Sequence, residues 1–102
     1  MVRKEFTLEE VQVLIKEECD AVRDLLIEKN NSYGNSAINP KRIFSKASPV
    51  EQIKCRIDDK LSRMANDHVS KDDAINSEDV TRDLLGYLIL LRVAERLHGA
   101  EL

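Results

Sequence analysis

At 102 residues and 11.7 kDa the chain can form one modest hydrophobic core and is too short for two domains. Hydrophobic residues make up 42% of it, but aromatics only 4%, with no Trp; a core of Leu, Ile, Val and Ala favours packed helices over a β-sandwich. The formal net charge of −3 argues against general duplex-DNA binding, which calls for a strong basic excess.

The opening segment MVRKEFTLEE lacks the apolar run of a signal peptide. No stretch approaches the roughly 20 apolar residues of a membrane span. A cytoplasmic location without membrane association is therefore expected. Cys19 and Cys55 have no CxxC or HxxxH companions, so both are expected as reduced thiols, one of them buried.

Thr7 followed by Glu10 has the spacing of a capping box and starts a helix expected to run over 8–29. Leu8, Val11, Leu14, Ile15, Val22, Leu25 and Leu26 recur along it at helical spacing. The next segment, about twenty residues from Asn30 to Ser48, shows neither helical period nor strand alternation, and structureless loops of that length are often functional. A second capping box, Ser48 with Glu51 and Pro49 at the first helical position, predicts a helix over 49–66 that buries Val50, Ile53, Ile57, Leu61 and Met64. Ser77, followed by Glu78 and Asp79, is read as the cap of a third helix over 77–98. Its main stripe is Val80, Leu84, Tyr87, Leu91 and Ala94, with Leu85 and Ile89 on the opposite side. The expected fold is a single all-α domain, a small antiparallel bundle of three helices with a long basic loop between the first two. Because the third helix is apolar on more than one face, self-association is expected, most simply as a dimer.

Several acidic residues stand where carboxylates are costly. Glu18 falls within the first helix's apolar stripe, so it is expected to face the core and to need a cation, either a basic residue such as Lys54 or a metal. Asp79 and Asp83 are four residues apart on one side of the third helix. Glu18, Asp79 and Asp83, with Asp58 on the second helix, together offer oxygen ligands of the kind Mg²⁺ takes when it also holds phosphates. The competing expectation is that Asp79 serves the helix dipole, Asp83 pairs with an Arg, and Asp59 pairs with Arg56 or Arg63.

No acidic residue occurs between Lys29 and Ser48, whereas Lys29, Lys41, Arg42 and Lys46 are basic. A basic island in an acidic chain points to a small anion. Gly34 permits close backbone approach, Asn35, Ser36 and Asn39 offer hydrogen bonds, and Tyr33 can stack on a base. Lys60 is expected as a further phosphate partner. The alternative is a solvated connector anchored by Ile38, Ile43 and Phe44. No GxxxxGK[ST] motif is present, and His68 and His98 receive no role.

Over roughly residues 25 to 95, separated blocks occur in order: Lys29-Asn30 with Tyr33-Gly34, Arg42-Ile43-Phe44-Ser45-Lys46, Asp58-Asp59-Lys60 with Arg63, and Glu78-Asp79 with Asp83-Leu84-Leu85-Gly86-Tyr87. The chain thereby resembles the phage and bacterial family called nucleotide modification associated domain 1. That resemblance implies a setting of phage nucleotide metabolism or DNA modification and adds Arg63 to the nucleotide-binding candidates. More distantly it resembles the all-α MazG and dUTPase-like nucleoside triphosphate pyrophosphohydrolases, which bind Mg²⁺ through ExxE and ExxD motifs. Asp83 is similar to the Asp of the second motif, but Val80 stands at its Glu and Ala21 stands where the first motif has its second Glu.

Three readings follow. In the first, Glu18, Asp79 and Asp83 hold Mg²⁺ for hydrolysis at the α-phosphorus of a nucleotide. In the second, the chain sequesters a nucleotide or a nucleotide defence signal without turnover. In the third it is an assembly module of a modification complex.

Overall fold

The computed structural model describes residues 5–66 and 71–99, with 71–79 described through their backbone. It contains three helices, α1 (Leu8–Tyr33), α2 (Pro49–Ala65) and α3 (Lys71–His98), and no strand among the described residues. The fold is a small all-α helical bundle.

Both capping boxes start helices through the expected bond. The Thr7 hydroxyl accepts from the Glu10 amide at 3.1 Å, and the Ser48 hydroxyl accepts from the Glu51 amide at 3.1 Å. Two boundaries differ from the sequence reading. α1 continues one turn past Lys29, through Asn30 to Tyr33, and ends at Gly34, whose φ of 67° suits a residue without a Cβ. α3 begins at Lys71, so Ser77 lies inside the helix and not at its start.

α2 and α3 form the main contact. Val50 and Ile53 of α2 and Ala94 of α3 are buried together with Ile38 from the loop, and Ile57, Leu90 and Leu91 pack against them. Lys60 meets Asp83, while Arg56, one turn earlier in α2, meets Tyr87, one turn later in α3. The two helices therefore run in opposite senses. The α2 stripe is buried only at its start: Leu61 and Met64 are exposed.

α1 touches α3 along a short length and does not pack on α2. The crossing is at Gly86, where a Cβ would stand 3.2 Å from Leu26 Cδ2. Around it Val22 is buried and Leu25 and Leu26 are half-buried. The other half of the α1 stripe, Leu8, Val11, Leu14 and Ile15, is exposed. Cys19 and Cys55 are both exposed free thiols, so the expectation of one buried thiol does not hold. No helix among the described residues is long and apolar enough to cross a membrane.

Candidate functional site

The C-terminal half of α1 from Val22 onward, the loop after it, and the facing sides of α2 and α3 enclose a cleft of about 590 Å³, within the range of small-molecule sites. Its floor is apolar, made by Val22, Leu25, Leu26, Ile38 and Leu90. Gly86 also lines it, so the same missing side chain that admits Leu26 keeps the cleft open.

Four cations stand on its walls: Lys29 from α1, Lys41 from the loop, Arg56 from α2 and Arg82 from α3. The carboxylate among its lining residues is Asp83, whose Oδ2 is 3.5 Å from Lys60 Nζ. Arg82 is 3.7 Å from Glu18, and the Arg56 guanidinium lies 6.0 Å from the centre of the Tyr87 ring. Lys29 and Lys41 have no ion-pair partner among the described residues. Tyr33 and Tyr87, the only tyrosines of the chain, both line the cleft.

The loop wall is built by local hydrogen bonds. Asn30 Nδ2 donates to the Gly34 carbonyl at 3.1 Å and to Asn35 Oδ1 at 2.9 Å. The Asn35 carbonyl accepts from the amides of Ile38 at 3.0 Å and Asn39 at 2.8 Å. This turn places Ile38 in the core, where its carbonyl lies 3.3 Å from His98 Nε2. Of the three expected anchors only Ile38 is buried; Ile43 is 78% and Phe44 97% exposed. The loop is thus fastened at its first half, the half that carries Gly34, Ser36 and Lys41 into the cleft.

Lys29, Tyr33, Gly34, Ser36, Lys41 and Asp83 converge on the cleft as a group. Asn35 stands behind it as the partner of Asn30, and Lys60 behind it as the partner of Asp83. Asn39, Arg42 and Lys46 are exposed outside the lining, and Arg63 pairs with Asp59 at 3.5 Å on the outer side of α2.

The expectation that Glu18 faces the core is corrected: its side chain is 66% exposed and its partner is Arg82, while Lys54 pairs with Glu51. The reason is that no other described element covers this part of α1, so a position in the stripe confers no burial. Asp58 is exposed. The side chain of Asp79 and the whole of His68 lie outside the described residues. Among the described residues no three His, Cys, Asp or Glu side chains are grouped as a metal requires.

Arg56, Arg82, Tyr87 and Asn30 line the cleft without having been assigned to the site from sequence. A signal was present for two of them. Arg56 lies four residues before Lys60 and Tyr87 four after Asp83, so each shares a helix face with a candidate already chosen. No family model, curated protein or solved structure matches the chain; the resemblance described above rests on its residue blocks alone.

Proposed function

We propose that the cleft binds a nucleotide or nucleotide-derived phosphate ester and retains it without hydrolysis. The observation that carries this reading is the convergence of two lysines without an ion-pair partner among the described residues, Lys29 and Lys41, with both tyrosines of the chain on an apolar-floored cleft. An apolar floor with aromatic rings accepts a base, and the cationic walls accept phosphate oxygens. The ordered residue blocks that resemble nucleotide modification associated domain 1 support the same ligand class and a role in phage-type nucleotide metabolism or DNA modification.

Retention is preferred to turnover because two of the candidate acids already stand beside protein cations, Glu18 with Arg82 and Asp83 with Lys60. Val80 and Ala21 remove two further carboxylates from the pyrophosphohydrolase pattern. Mg²⁺, in this reading, arrives on the ligand's phosphates.

A nucleotide panel scored by thermal stabilisation, with Mg²⁺ and with EDTA, tests the proposal, followed by an assay of pyrophosphate release from every ligand that binds. Stabilisation by a nucleotide with no release is expected. Turnover of a stabilising nucleotide would overturn retention, and absence of stabilisation by every nucleotide would overturn the ligand class.

A further inference from the structure

The chain exposes 8561 Å², whereas a compact monomer of its mass exposes about 5,900 Å². Its radius of gyration is 16.8 Å, against about 13 Å for a compact domain of similar length. The excess surface, about 2,700 Å² per chain, is as large as the area a subunit surrenders in an extensive obligate homodimer, whose total buried area runs to roughly 2,000–5,000 Å².

Much of the exposed apolar surface is gathered on two helical faces. On α1, Leu8, Val11, Leu14 and Ile15 are 42–76% exposed and recur at helical spacing. On α3, Leu85, Leu88, Ile89 and Val93 are 37–45% exposed on the side turned away from Leu91 and Ala94. The two segments differ in the sign of their net charge: residues 8–17 carry Glu9, Glu10 and Glu17 against Lys16, and residues 85–96 carry Arg92 and Arg96 against Glu95.

We infer that a second copy of this chain covers both faces, with residues 8–15 of α1 in one protomer lying on residues 85–93 of α3 in its partner, reciprocally about a two-fold axis. One chain supplies both halves of the contact, and their charges attract. A two-fold arrangement makes each contact twice and closes the assembly, so neither apolar face is left in water. The cleft residues take no part in this contact.

Light scattering and sedimentation equilibrium on the full chain test the inference, with helix content followed by circular dichroism. The wild-type mass is expected at twice 11.7 kDa. Ile15→Lys sets a cation against the partner's arginines, and Ile89→Glu sets an anion against the partner's acids; each variant alone is expected to be monomeric. Mixed in equal amounts they should form a heterodimer, because one contact then carries a Lys–Glu pair and the other is wild type. Leu8→Lys, 76% exposed at the end of the same α1 face, replaces Ile15→Lys should that variant lose helix. A monomeric wild type at high concentration, a dimer that survives both substitutions, or a mixture that stays monomeric would each overturn the inference.

Discussion

Replacing Asp83 with Asn separates the two chemistries a carboxylate in the cleft could serve. The Lys60 and Asp83 side chains are 14% and 33% exposed at a separation of 3.5 Å, so the pair lies between a surface ion pair, worth about 0–1 kcal/mol, and a buried one, whose breakage costs about 3–5 kcal/mol. The expected loss of stability is about 1–2 kcal/mol. For a domain of this size that lowers Tm by roughly 5–15 °C at fixed protein concentration. Ligand affinity should move the other way. The substitution removes a negative charge from the cleft and leaves Lys60 uncompensated; two unit charges about 7 Å apart repel by at least about 0.6 kcal/mol even at the dielectric constant of water. Affinity for an anion should therefore rise about threefold or more. Calorimetric titration of wild type and Asp83→Asn with pyrophosphate and with a nucleoside triphosphate in EDTA reads this directly. A folded variant that binds more weakly would refute the reasoning and return Asp83 to the role of a ligand or metal group.

Lys29→Ala and Lys41→Ala should each weaken nucleotide binding about tenfold, the scale of one charge-assisted hydrogen bond, and flatten its salt dependence in titrations from low to high ionic strength. Ile53→Ala, at a residue 1% exposed between α2 and α3, should cost about 2–5 kcal/mol in denaturant unfolding; a cost below 1 kcal/mol would contradict the placement of the core. Gly86→Ala should be near neutral by thermal unfolding. The roughly 1 kcal/mol gained in helix propensity is set against a Cβ 3.2 Å from a Leu26 methyl, which can shift. Gly86→Leu, by contrast, should push α1 from α3, fill the cleft and abolish ligand binding.

The helices were legible because their signals are local. A cap, a proline at the first position and an apolar period act within a few residues, and Thr7 and Ser48 cap as their spacing requires. The start of α3 lies six residues before Ser77, because a capping residue type marks a place where a helix is able to start and does not stop one that began earlier. Burial was less legible, because period tells which side of a helix is apolar and not whether another element reaches it. Val22 and Leu14 share one stripe, yet Val22 is 3% and Leu14 58% exposed; the same gap misplaced Glu18. Within the site, the α1 end and first half of the loop were readable as a basic, glycine-containing run. Arg56 and Arg82 belong to it only because α2 and α3 pack opposite that run, a long-range fact that no local pattern encodes.

The most direct test of the cleft uses its own aromatics. Tyr33 and Tyr87 are the only tyrosines of the chain, and both line the cleft, so a protein labelled in its tyrosine rings gives two NMR signals that report on this site. Addition of a nucleoside triphosphate in EDTA should saturably shift both rings, Tyr33 through stacking and Tyr87 through displacement of Arg56 from its face. Pyrophosphate alone should move chiefly Tyr87. A nucleotide that binds by calorimetry while both ring signals stay in place would locate binding elsewhere and contradict the account.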